Sequence, residues 1–402
     1  MTDICFVLEG TYPYKTGGVS AWVDALVAGL PDLTFSVAHL FYGERPSERR
    51  YSLPANVREI VDISLNAPEG GTPLSIGLET LLDQVPASRI YHPLSTGFAG
   101  YLGTALKQSR KAPMIVTEHG LYWHEAELGV GELECGFKIV ETESGPLCLG
   151  RTWESWSATF RTLALDAYAA ADVITTVCED NRRRQIGLGA DALKVRVIEN
   201  GVPVPPRPIS RALSAHPHCA LVGRVAPMKD IKTYIHMCSY VQTFMPHVRW
   251  SVIGPTSHDL PYFGECRRLA DELGIRNFTF TGETDMRTAY PSIDCVVLTS
   301  VSEAQPLALL EAMSYGIPVV ATAVGGVPEI VASVDAPPSG LVVPAGDFKA
   351  AAHAVMRLLN EPPLYRACSD AGRARVEAKH SSDAMIDAYR ALYHSLLTDA
   401  AW

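Results

Sequence analysis

Directly after the apolar run Cys219–Val222 stands Gly223-Arg224-Val225-Ala226-Pro227-Met228-Lys229, which sets two cations five residues apart. A guanidinium grips two phosphate oxygens as a rigid fork, whereas an ammonium is a mobile point charge, so the two suit a diphosphate together better than either does alone. The helix expected next would add the free N–H groups and dipole of its N-terminus. In isolation such a pair is more often a solvated surface feature, so its meaning depends on what else converges on it.

A second group lies in Ser302-Glu303-Ala304-Gln305-Pro306-Leu307-Ala308-Leu309-Leu310-Glu311, which follows the near-continuous apolar run Ile293–Ser300. Such a run reads as a central parallel strand. Pro306 fits the first position of a helix, where its missing N–H costs nothing, and Leu307 continues it. Glu303 then belongs to the loop before the helix and Glu311 to its second turn. Side chains lean toward a helix N-terminus, so both acids can face one ligand from two heights. Stabilising the helix dipole would explain one glutamate but hardly both.

Two glycine pairs repeat the strand–loop–helix pattern: Gly17-Gly18 near the start, and Gly325-Gly326 ahead of Pro328 and Glu329. Glycine lets backbone N–H groups approach a phosphate closely, although either pair alone is more often a turn. His119, with Glu118 and Gly120, ends the apolar run that starts at Met114. A lone histidine is usually structural, but one at this edge would face whatever the edge binds. Asn200-Gly201 follows another short strand, where a hinge turn and a ligand contact are both open readings. The chain has no DxD pair for a metal on a nucleotide diphosphate, and no Walker lysine loop, GxSxG elbow or zinc-spaced His/Cys cluster.

The elements that must position these residues alternate between β-branched runs and longer amphipathic runs, the pattern of parallel sheets wrapped by helices. With 402 residues, the chain exceeds the size of one hydrophobic core, so two domains of about 200 residues are expected. The first series of strands runs from Ile4 to Asn200 and the second from Cys219 to Gly346. Residues 200–218 between them hold five prolines and read as a linker. The expected division is an N-terminal domain over 1–205, a C-terminal domain over 206–380, and a last helix over 381–402 that crosses back to the first. Residues 125–160 fit no simple strand–helix unit and read as an insertion near the mouth of the first domain. The helical stretches at the end span about 349–379 and 382–398. In such open sheets functional residues follow the carboxyl ends of strands, as all of these do.

Composition narrows the class. The chain is 47% apolar and 19% charged with a formal charge of −10, so a nucleic-acid partner is not expected. Nine cysteines without a CxxC pair read as buried reduced thiols. The start MTDICFVLEG is no signal peptide, and no apolar run reaches the length of a membrane span, so a cytoplasmic location is expected.

The ordered set of Gly17-Gly18, His119, Asn200-Gly201, Arg224 through Lys229, and Glu303 with Glu311 resembles the retaining glycosyltransferases of family 4, built on the GT-B fold of two Rossmann-like α/β domains. More narrowly, LEGTYPYKTGGVSAWV, VTEHGLY, WSVIGPT and LTSVSEAQPLALLEA are similar to the glycosyltransferases of the bacterial Pel exopolysaccharide system. The resemblance implies a UDP-sugar donor whose ribose hydroxyls meet Glu311 and whose sugar lies near Glu303 and His119. Arg224 and Lys229 would hold the diphosphate with amides of Gly17 and Gly18, while Asn200, Pro306, Leu307, Gly325 and Gly326 complete the donor-binding set. It further implies a glycan acceptor, inner-membrane polysaccharide synthase subunits as partners, and peripheral association with that membrane through them. Many members have Gly-Phe where this chain has Ala304-Gln305.

The expected reaction is transfer of glucose or an N-acetylhexosamine with retention, needing no metal or other cofactor. Alternatives are a GT-B nucleotide-sugar epimerase, a phosphorylase, and a catalytically idle nucleotide-binding subunit of a membrane synthase.

Overall fold

The structure is a computed structural model that describes residues 1–67, 73–128, 137, 140–142, 145–148, 151–206, 213–332 and 336–399. The chain forms two compact units, one made of 1–199 with 385–402 and the other of 200–384.

In the first unit, β1 (Thr2–Glu9), β2 (Phe35–Phe41), β3 (Val57–Ser64) and β4 (Ser88–Pro93) form a parallel sheet in the order β3-β2-β1-β4. A bridge between Tyr91 and Met114 leads on to β5 (Ile115–Glu118). An antiparallel trio follows, β6 (Val140–Thr142), β7 (Gly145–Cys148) and β8 (Arg151–Thr152). β9 (Val173–Thr176) and β10 (Val195–Val197) then pair parallel in the order β10-β9-β5. β2, β5 and β9 are buried along their whole length, which explains why they read as mainly apolar runs, and the polar residues in them, such as His39 and Thr117, are buried too. The helix Ser382–Asp399 packs here, setting Tyr389 and Tyr393 in one core with Trp22, Phe6 and Phe35. Arg390 fixes it by donating from Nη2 to the Gly29 carbonyl at 2.9 Å.

The second unit is a six-stranded parallel sheet, β13-β12-β11-β14-β15-β16. Its strands are β11 (His218–Val222), β12 (Arg249–Ile253), β13 (Phe278–Gly282), β14 (Cys295–Leu298), β15 (Val319–Thr322) and β16 (Gly340–Val343). The chain winds outward from β11 to β13, then returns to place β14 on the other side of β11, with Cys219 opposite Cys295. That reversal makes the carboxyl edge of β11 and β14 the topological switch point, where loops separate and ligands are held.

Several expectations shift. β3 escapes the strand pattern because it is half exposed and carries Arg58, Glu59 and Asp62 among its apolar residues. The stretch 349–379 is two helices, Phe348–Asn360 and Pro362–Lys379, because Pro362 can start a helix but cannot continue one. Residues 125–160 begin inside the helix Tyr122–Glu127, include β6 to β8, and end inside the helix Trp153–Ala170. Residues 129–136, 138–139, 143–144 and 149–150 of that segment lie outside the described residues. The start of the linker is pinned within the second unit: Val202 donates to the His380 carbonyl at 2.9 Å and accepts from Ser382 N at 3.0 Å. Seven cysteines among the described residues are buried and free.

Candidate functional site

Gly223 leaves β11 in an extended left-handed conformation, φ 153°, and donates to the Ile253 carbonyl at 2.9 Å. Arg224 follows, partly buried, and a short 3-10 turn over Pro227–Lys229 brings Lys229 back beside Gly223, where a Cβ would lie 3.4 Å from the lysine Cε. The next helix, Ile231–Gln242, is capped by Asp230, whose carboxylate accepts from Thr233 N at 3.2 Å. That helix end is therefore supplied with its own anion, and the side-chain cations carry the attraction for an external one.

The loop after β14 is tied to this turn across the switch point. Val301 N donates to the Met228 carbonyl at 3.0 Å, and Thr299 Oγ1 to the carbonyls of Lys229 and Asp230 at 3.1 and 2.9 Å. Lys229 Nζ then meets Glu303 Oε1 at 2.5 Å, and Ser300 Oγ donates to the same oxygen at 2.6 Å. The lysine side chain is 21% exposed and the glutamate 11%, so the pair is shielded yet open to a ligand.

Pro306 does not occupy the first helical position but caps the helix Leu307–Ser314, at φ −71° and ψ 117°. Glu311 lies in the second turn, accepting from the Tyr290 hydroxyl at 2.7 Å. Burial pushes its carboxyl above the usual range, opposed by that hydrogen bond, and burial with the neighbouring carboxylate pushes the Tyr290 phenol well up. Tyr315 stacks on Tyr290 at 5.2 Å between ring centres. A buried carboxyl held by the Tyr290 hydroxyl has acceptor capacity to spare for the hydroxyls of a ligand.

Gly325 has φ +50°, and a Cβ on it would lie 1.6 Å from the Glu303 carbonyl oxygen. Gly326 N donates to the Ala304 carbonyl at 2.8 Å. This glycine pair seats the Glu303 loop, so the Gly326 amide is already engaged and not held out for a phosphate. Gln305, absent from the sequence-based set, clasps Asn200. Its Oε1 accepts from Asn200 N at 2.6 Å, and its carbonyl from Asn200 Nδ2 at 3.1 Å. Both residues are 5% exposed.

Thus Arg224, Lys229, Glu303, Pro306, Leu307, Glu311, Gly325, Gly326 and Asn200 all belong to the second unit, with Lys229 and Glu303 in direct contact. Gly17, Gly18 and His119 belong to the first. Gly17 is the exposed N-cap of the helix Gly18–Gly29, without a side-chain cap or an acid in the first turn. His119 follows β5 with its ring 4.8 Å from that of Trp22. Burial lowers its pKa to about 4, so it is neutral at pH 7, and its Nε2 has no hydrogen-bond partner among the described residues. Tyr290, Ser300 and Gln305 were missed: Tyr290 and Gln305 act through partners reached only in the fold, and Ser300 through Glu303 three residues on, a contact that depends on how the loop turns.

Residues 213–375 match the family "Glycosyl transferases group 1", and residues 2–74 and 72–193 match "Domain of unknown function (DUF3492)". A D-inositol 3-phosphate glycosyltransferase of Saccharomonospora viridis is 28% identical over 302 residues, covering 68% of this chain and 69% of the relative. Its namesake in Mycobacterium tuberculosis is 35% identical over 173 residues, which span only 39% of this chain and 35% of the relative. Among solved structures, sucrose-phosphate synthase from Thermosynechococcus elongatus superposes with a TM-score of 0.75 at 20% identity, over 99% of this chain and 100% of that one. Anabaena HepE in complex with UDP and glucose gives 0.72 at 17% identity, over 98% and 100%. The chain has the GT-B fold of these glycosyltransferase structures, and its residues 213–375 match the group 1 glycosyl transferase family.

Proposed function

We propose that the chain transfers a hexose from a UDP-sugar to a glycan, with retention of anomeric configuration. The observation that carries this reading is the Lys229–Glu303 pair at the switch point, with Arg224 in the same loop as Lys229 and Glu311 in the helix that follows the Glu303 loop. In this reading Arg224 and Lys229 neutralise the diphosphate, Glu311 accepts from the ribose hydroxyls and Glu303 from a hydroxyl of the donor sugar. Stabilising charge that develops on the leaving diphosphate is the main contribution. The acceptor hydroxyl attacks from the face the leaving group departs, and a phosphate oxygen takes its proton.

Support for a nucleotide-sugar donor comes also from the glycosyltransferase relatives and from HepE, whose solved complex holds UDP and glucose. Metal independence is part of the proposal, on the grounds that the sequence has two cations and no DxD at hand. An exopolysaccharide acceptor, membrane synthase partners and action in the cytoplasm rest on the likeness to the Pel-type enzymes. No described helix is long and apolar enough to cross a membrane. Incubation with UDP-glucose and UDP-N-acetylgalactosamine, with and without EDTA, tests the reading. Release of UDP in both conditions supports it, whereas accumulation of the epimeric UDP-sugar would replace it with epimerisation.

A further inference from the structure

A cavity of about 630 Å³ opens in the first unit, lined by Tyr14, Arg45, Pro46, Ser47 and Arg49. It lies where the loops after β1 and β2 meet near the end of β3, at the carboxyl edge that open α/β sheets use for ligands. No carboxylate lines it, in a chain whose formal charge is −10.

Its wall is held rigid from beneath. Asp62 of β3, 4% exposed, accepts from Arg45 Nη2 at 2.7 Å and Nε at 3.0 Å, and from the Tyr14 hydroxyl at 3.0 Å. Its other oxygen pairs with Nδ1 of the fully buried His39 at 3.1 Å. Arg45 itself is 71% exposed, so the buried acid fixes a guanidinium whose outer edge is turned to solvent. Arg49 lines the cavity with Tyr14, and Arg50 N donates to the Pro13 carbonyl at 2.8 Å, locking the loop after β2 onto the loop after β1. Burying a carboxylate costs several kcal/mol unless its partners are well placed. Spending that cost to immobilise an outward-facing arginine over the buried Tyr14 is the construction of a preorganised binding wall, more than a surface ion pair requires.

We infer that this cavity binds an anionic group, a phosphate or a carboxylate, carried by the acceptor sugar, with Arg45 and Arg49 as its ligands and Ser47 as a hydroxyl donor, the Tyr14 proton being committed to Asp62. The inference rests on the glycosyl-transfer reading for the identity of the ligand's carrier. Arginine forks match the planar and tetrahedral oxygens of both anions.

The test uses the full chain saturated with UDP, so that Arg224 and Lys229 are occupied, titrated calorimetrically with glucose 6-phosphate, glucuronate and glucose. At least one charged sugar should bind tenfold or more tighter than glucose, and comparing the two tells phosphate from carboxylate. Arg49→Ala and Arg45→Gln should each remove the preference, with affinity for UDP within twofold of wild type; Arg49→Ala, which leaves the contacts of Asp62 with Arg45 and Tyr14 in place, should also keep the melting midpoint, whereas Arg45→Gln should lower it. Equal binding of all three sugars, or a preference that survives both substitutions, would overturn the inference. If UDP does not bind at all, the donor reading fails separately. Glucose 6-phosphate titrated into Arg49→Ala and Arg224→Ala then still decides which arginine holds the anion.

Discussion

The ammonium of Lys229 lies 2.5 Å from Glu303 Oε1, joining the loop after β11 to the loop after β14 across 74 residues of chain. A pair this close lets each group orient the other before a ligand arrives, and a diphosphate entering beside Arg224 would share the lysine with the glutamate. Lys229→Met should therefore lower kcat by roughly a hundredfold, about 3 kcal/mol, with the loss seen in turnover more than in KM. Steady-state kinetics on a UDP-sugar check this, and an unchanged kcat would remove Lys229 from the charge-stabilising role.

The two glycine pairs make opposite predictions. Gly325→Ala places a Cβ 1.6 Å from the Glu303 carbonyl at a left-handed φ of +50°, so it should cost about 2 to 4 kcal/mol of stability. At Gly17 a Cβ meets nothing within 4 Å and the backbone is extended, so Gly17→Ala should leave stability within about 0.5 kcal/mol. Urea denaturation of both variants reads the contrast directly.

Gln305→Leu keeps the volume of the side chain but leaves Asn200 N–H buried without its acceptor. The expected loss is about 1 to 3 kcal/mol, the cost of an orphaned buried donor. Hydrogen exchange at the Asn200 amide should quicken in step. Protection equal to wild type would show that the clasp is dispensable.

Buried histidines set an acid limit. His39 and His119 have pKa values lowered to about 4 and His92 to about 3, all through burial. Each binds its proton more readily unfolded than folded, so stability is full above the ordinary histidine value and falls as pH drops from about 6.5 toward 4. Glu311 works in the opposite sense: its raised pKa favours the folded state most at low pH, and that contribution is lost as pH climbs through the folded value. Melting midpoints measured from pH 4 to 8 should decline on the acid side, and His92→Asn should flatten that decline.

The strands of the second unit were legible because parallel strands buried on both faces must be apolar throughout, and β11, β14 and β15 are almost entirely so. Arg224, Lys229 and Glu303 were legible for a related reason, since charged residues that directly follow such strands stand at the sheet edge. What could not be read was pairing. Nothing near Tyr290 announces that it meets Glu311, and Gln305 looked like a departure from a family pattern until Asn200 was found beside it. Pro306 was displaced by one position because a proline can cap a helix as readily as begin one. The acid in β3 hid in the same way, as Asp62 finds His39, Tyr14 and Arg45 only once three strands align.

The most direct test is calorimetric titration of UDP into wild type, Glu311→Ala and Arg224→Ala, with folding checked by melting. A nucleotide held by hydrogen bonds to the buried Glu311 carboxyl should bind wild type and lose about 1.5 to 3 kcal/mol of affinity in Glu311→Ala. UDP that fails to bind wild type, or binds folded Glu311→Ala and Arg224→Ala equally well, would contradict a donor site at the β11–β14 edge.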